Sequence, residues 1–149
     1  MDGRPFANFH VDIAVGDVLI EPLEDMEGRD WLKFAGIPAA AFRAISAEQQ
    51  FAEKLHAYTL PRQHPNSRVR DLIDMVLLIE SDGLEQKSVK TAIQVTFHRR
   101  QTHSLPKELA PPPTDWSGPF AAMAAECGIG KNVSQAFDAL KSFLIRVSK

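Results

Sequence analysis

Three residues have types and settings that could do chemistry: Lys54, Asp71 and Asp12. On a helical wheel Lys54 lies between Ala47 and Phe51, beside Tyr58, at the edge of an apolar face. An ammonium buried there without a partner is costly or loses its proton, so it needs a protein carboxylate or a ligand phosphate. The alternative is a snorkelling surface lysine. Asp71 falls within an apolar sector of the next helix, and a buried carboxylate must be paired, hydrogen-bonded or functional. Pairing with Lys54 or Arg68 is the structural alternative. Asp74 instead shares a polar gap with Arg70, as an i, i+4 pair on the solvent side. Asp12 points from a strand face two residues after His10. Such a residue most often meets water, but a strand carboxylate facing a cleft also suits Mg²⁺, which prefers oxygen ligands.

Other chemical signals are weak. The five histidines show no metal spacing on one helix face, and most are expected at the surface. There is no Gly-rich phosphate loop, no G-x-S-x-G and no CxxC. Arg99 and Arg100, with His98 and His103 nearby, could touch RNA phosphates or simply form a solvated helix end.

The elements that must position these residues follow from periodicity. Asn8–Val15 alternates, with Phe9, Val11, Ile13 and Val15 on one face, which predicts a strand. Gly16-Asp17 reads as a hairpin turn into Val18–Ile20. Glu24–Asp30 is acidic and reads as a loop. Trp31–Phe34 and Phe42–Ile45 read as two further short strands joined across Gly36. Ser46 with Gln49 is a capping-box pattern. It starts a helix with Phe51, Leu55 and Tyr58 on one face, closed at Leu60-Pro61. A second helix, capped by Asn66 or Ser67, is predicted to run to about Glu80, apolar round most of its circumference and so central. A third is predicted over Leu84–Gln101, its basic end suited to the helix dipole. A Pro-rich connector follows at Leu105–Pro113. A short helix capped by Asp115 and a last one over about Val133–Val147 complete an α+β outline: a small sheet in residues 1–46, then a helical bundle in 47–149.

The totals are those of an ordinary globular chain. Its 149 residues, 44% hydrophobic and 24% charged, are enough for a real core. A net charge of −2 gives no global field toward nucleic acid or membrane. The one cysteine, Cys127, permits no intrachain disulfide and reads as a buried structural thiol. No apolar run approaches the about 20 residues of a membrane span, and no signal-peptide layout opens the chain. The expected location is the cytoplasm.

Several segments in order, FHVDIAVGD, DWLKFAGI, AEQQFAEKLHA, NSRVRDLIDMVLL and TAIQVTFHRRQTHSLP, resemble the AbiEii/AbiGii-type nucleotidyltransferase toxins of type IV toxin–antitoxin and phage-defence systems. The resemblance covers roughly residues 9–105. It implies a polymerase-β-like nucleotidyltransferase sheet followed by a helical bundle. It also implies an NTP substrate, Mg²⁺, an RNA acceptor such as tRNA, and a cognate antitoxin. Residue by residue, Asp12 matches the strand carboxylate that follows the metal-binding pair. Lys54 matches the helix lysine expected to face the triphosphate. Asp71 matches the aspartate of an R-x-K-D-like motif, with Arg68 beside it on the phosphate side and Arg70 where lysine is common. Asp74 matches a further acidic residue of structural role. The family's Gly-Ser stretch and Asp-x-Asp strand have no counterpart here, since only eleven residues precede Asp12. Two-metal transfer needs that pair, so the chain is expected to match the later part of the enzyme and to be inactive alone. A non-catalytic module binding nucleotide, RNA or antitoxin, with Lys54–Asp71 as an ion pair, is the second expectation. A homodimer completing the sheet edge is the third.

Overall fold

The computed structural model describes Val11, Ile13 and residues 19–149. The fold class is α+β, with a two-stranded antiparallel sheet followed by five α-helices among these described residues. The expected strand over residues 8–15, and the hairpin turn after it, lie outside the described residues. Val11 and Ile13 are exposed.

The sheet pairs β1 (Glu24–Glu27) with β2 (Ala41–Ala44). β2 falls where a strand is expected, but β1 occupies the acidic stretch read as loop. Backbone pairing and charge build this strand without any apolar face. Asp25 stands opposite Arg43 in the register, with 3.9 Å between their charged groups, and Arg43 also reaches Glu21 at 3.5 Å. Trp31–Phe34, expected as a strand, is instead a turn leading into a 3-10 helix at Lys33–Ala35. Gly36, at φ 72°, closes it by donating its N–H to the Lys33 carbonyl. The aromatic content of that run is not buried: Trp31 is 73% and Phe34 89% exposed.

The helices are α1 (Ala47–Thr59), α2 (Val69–Glu80), α3 (Gln86–Arg100), α4 (Ser117–Glu126) and α5 (Val133–Ser148). At the α1 N-terminus the Ser46 hydroxyl accepts from the Gln49 N–H, as the capping pattern predicts. The Gln49 side-chain oxygen accepts from the Ile20 N–H, tying the N-terminal segment to α1. Glu85 caps α3 by accepting from the N–H groups of Lys87 and Ser88. Asn132 and Gln135 form a full capping box on α5. The cap of α2 differs from expectation. Arg68 holds the N-cap position without a side-chain bond, while Asn66 Oδ1 accepts from the Arg68 N–H.

The core lies where the inward stripes meet. α1 packs on α2 and α3, and α2 also packs on α4 and α5. Phe51 and Leu55 of α1, Leu72, Met75 and Val76 of α2, and Leu140 of α5 are fully buried. Phe51 meets Phe143 edge-on at 5.1 Å between ring centroids. α4 is preceded by a 3-10 turn at Thr114–Trp116, which contains the Asp115 expected to cap it. α4 ends in a left-handed glycine cap. Gly128 sits at φ 72°, its N–H reaches the Ala125 carbonyl, and the Ile129 N–H reaches the Ala124 carbonyl. That cap turns Ile129 into the core and leaves Cys127 exposed, which corrects the expectation of a buried thiol.

A hydrogen-bond set fixes the α1–α2 connection. Asn66 Nδ2 donates to the Tyr58 carbonyl at 3.0 Å, and Trp116 Nε1 donates to the Asn66 carbonyl at 2.8 Å. Tyr58 packs on Trp116 and donates its hydroxyl to the Ala110 carbonyl at 3.3 Å. Burial pushes the Tyr58 phenol up to about 12. A folded-state value above the unfolded one gives stability that is present below pH about 10 and lost as pH rises toward 12, worth at most about 3 kcal/mol. Thermal unfolding followed from pH 8 to pH 12 is expected to show that loss, and Tyr58→Phe is expected to lessen it.

Candidate functional site

The α1–α2 pair brings together three of the residues singled out in the sequence. Lys54 Nζ lies 3.5 Å from Asp71 Oδ1, and Arg68 Nε lies 3.8 Å from Asp71 Oδ2. Asp12 lies outside the described residues. Asp71 is buried at 5% exposure, as its place in the apolar sector of α2 predicts. It stands in the first turn of α2, where the positive end of the helix dipole favours a carboxylate. Its Oδ2 is buried and accepts no hydrogen bond among the described residues.

Asp74 is placed differently from expectation. It approaches Lys54 Nζ at 2.7 Å, the shortest contact of the group, so its partner lies across the helix pair on α1. The wheel showed Asp74 beside Arg70 but could not show that α1 would pass in front of it. Lys54 therefore stands between two carboxylates. Burial works against its charge and is the largest single influence. The hydrogen bond and charge of Asp74, and then those of Asp71, together outweigh it and raise the Lys54 pKa above its usual value. Lys54 is thus a protonated donor at neutral pH. It keeps 39% of its side chain exposed, and Arg68 keeps 48%. This arrangement can do two things. It clamps α1 to α2 through a buried carboxylate, and it presents two cations, Lys54 and Arg68, at the solvent edge of that clamp.

A divalent metal does not fit the described residues. No group of three His, Cys, Asp or Glu side chains converges among them. Asp71 and Asp74, which do converge, are already bridged by an ammonium.

A family model described as "Nucleotidyl transferase AbiEii toxin, Type IV TA system" matches residues 1–142. The chain belongs to the AbiEii family. The match extends beyond the segments that carried the resemblance and takes in α4 and most of α5. No curated protein matches the chain. The helix pair of this AbiEii chain therefore holds Lys54, Arg68, Asp71 and Asp74 in one cluster of a nucleotidyl transferase toxin family. None of its described helices is long and apolar enough to cross a membrane.

Sequence reasoning missed a second polar cluster, on another face of α1 toward its C-terminal end. His56, one of the five histidines of which most are expected at the surface, is 4% exposed, with its ring against Phe97 and His103. Donor accounting orders the contacts. Arg100 donates toward His56 Nδ1 at 3.5 Å, so His56 donates through Nε2 to Thr102 at 2.8 Å. Thr102 donates to His103 Nδ1 at 3.2 Å, His103 Nε2 donates to Thr59 at 2.8 Å, and Thr59 ends the series on the Leu55 carbonyl. Partial burial lowers the His103 pKa, in keeping with a neutral ring. Glu53, which lies 4.0 Å from Arg100, recurs with His56 and Thr59 at three-residue spacing on α1, which is the sequence signal for this stripe. The cluster joins the C-terminal ends of α1 and α3 and accounts for Arg100, which points inward rather than standing as a purely solvated basic end.

Proposed function

We propose that residues 47–149 form the helical part of a nucleotidyltransferase and residues 1–46 part of its polymerase-β-like sheet. An NTP would lie between them against Lys54 and Arg68. The observation that carries this reading is the cluster itself. The lysine of α1 and the R-x-R-D segment of α2, distant in sequence, meet at one edge and leave two cations open to solvent. Phosphate oxygens accept from such donors, with Arg68 supplying a planar fork and Lys54 a point charge. Asp71 would hold Lys54 in position. Asp12 is the proposed carboxylate toward Mg²⁺, and an RNA such as tRNA the proposed acceptor. The setting is cytoplasmic toxin and phage-defence activity restrained by a cognate antitoxin.

The 149 residues contain no Asp-x-Asp pair, the arrangement two-metal transfer relies on. Incubating this chain with labelled NTPs, Mg²⁺ and tRNA is expected to give no transfer above background. Robust transfer that Asp12→Ala abolishes would overturn the inactivity and show that metal is held in another way.

One observation favours a second, non-catalytic reading. The 2.7 Å contact of Asp74 already engages Lys54, so a phosphate would have to compete for it. On that reading Lys54, Asp71 and Asp74 only lock two helices, in a module that binds nucleotide, RNA or antitoxin elsewhere, or that pairs with a second copy through its sheet edge.

A further inference from the structure

The geometry points to a docking groove for an acidic, amphipathic helical segment of a partner protein, on the face formed by α3, α5 and the Pro-rich connector. This is separate from the Lys54 cluster and does not depend on it. A cavity of about 750 Å³ opens there. Its floor is aliphatic, built by Ile93, Leu144 and Val147, with Leu105 and Ile145 on its walls. Leu105 is 40% and Ile145 61% exposed, so apolar surface at this groove faces water. Lys90, Lys107, Lys141 and Lys149 also line it, with Glu108 the one acid of the lining. Lys141 also reaches Asp138 at 3.5 Å beside the groove, and Lys90 donates to the Ser148 carbonyl at 3.3 Å, so an acidic partner would compete with one carboxylate and one carbonyl for them. The chain as a whole is net negative, so this concentration of lysines is a local feature.

Charge and shape together select the occupant. An amphipathic helix presents Leu or Ile at i, i+3, i+4 and i+7, which suits a groove between two helices, and flanking Glu residues would meet the lysines. Single-stranded RNA fits less well, because it binds on aromatic platforms and Arg planes, and neither lines this groove. A second copy of this chain fits less well too. A two-fold interface sets the same patch against itself, which would oppose lysines to lysines. A plain small anion would leave the exposed Ile145 unused.

The probe is a fluorescein-labelled peptide of about 18 residues, five helical turns, with Leu at i, i+3, i+4 spacing and Glu elsewhere, followed by anisotropy on the full chain. Saturable binding that weakens with added salt is expected. A scrambled peptide of the same composition is expected to bind about tenfold more weakly. Ile145→Glu and the double change Lys90→Glu/Lys141→Glu are expected to weaken binding by at least about tenfold as well. These positions are exposed, so the variants are expected to fold, with circular dichroism as the check. The inference is overturned by absence of saturable binding, by equal binding of the scrambled peptide, or by insensitivity to both variants. It is also overturned if oligouridine RNA displaces the peptide from the groove, or if sedimentation shows that the chain dimerises through Ile145.

Discussion

Replacing Phe51 by alanine is expected to remove about 3–5 kcal/mol of stability, the usual cost of deleting a fully buried aromatic ring. Phe51 has no exposed surface and reaches from α1 across to Phe143 on α5. Its loss leaves a cavity at the junction of the first and last helices, which cannot close without moving one of them. A domain of ordinary stability has about 5–15 kcal/mol in total, so the variant sits near its unfolding threshold. Urea denaturation followed by circular dichroism measures the loss through the midpoint. Phe51→Leu is expected to recover part of it, because most of the volume is retained. A near-neutral Phe51→Ala would show that the α1–α5 contact is not part of the core.

The second large effect concerns Lys54. Lys54→Met leaves Asp71 buried with Arg68 alone, at 3.8 Å. The expected loss is about 1–3 kcal/mol, arising mainly from the stranded carboxylate. Because Lys54 is itself 39% exposed, solvent screening limits the intrinsic worth of its pairing. The double variant Lys54→Met/Asp71→Leu is therefore expected to recover most of the loss, since Leu suits the apolar sector that Asp71 occupies. Asp74, left without Lys54, is 40% exposed and costs little. A thermodynamic cycle over the four proteins should give a coupling of at least about 1 kcal/mol. Additive losses would mean that the two side chains do not act as a pair.

What the sequence made legible was decided by periodicity. The inward stripe Phe51, Leu55, Tyr58 is buried as its spacing predicts. All five expected helices form, with ends shifted by a residue or two. The strands were less legible for a physical reason. β1 is the exposed sequence EDME, stabilised by pairing and cross-strand charge, so it has no apolar alternation to read. Trp31–Phe34 looked like a strand because it is apolar, yet Gly36 turns it and nothing described covers it. At the site, the wheel separated the buried Asp71 from the half-exposed Asp74 correctly. It misassigned the partner of Asp74, because a wheel shows one helix and Lys54 comes from another. The same limit hid His56, whose partners Thr102 and His103 lie more than forty residues along the chain.

The central claim is that the edge of the α1–α2 clamp holds nucleotide through Lys54 and Arg68. Calorimetric titration of each of the four common NTPs, with Mg²⁺, into the 149-residue chain tests it most directly. Saturable binding of at least one NTP is expected, weakened about tenfold by Arg68→Ala and by Lys54→Ala, with folding of both variants verified. No binding of any NTP at millimolar concentration, or binding unchanged in both variants, would contradict it and leave Lys54, Asp71 and Asp74 as a lock between two helices.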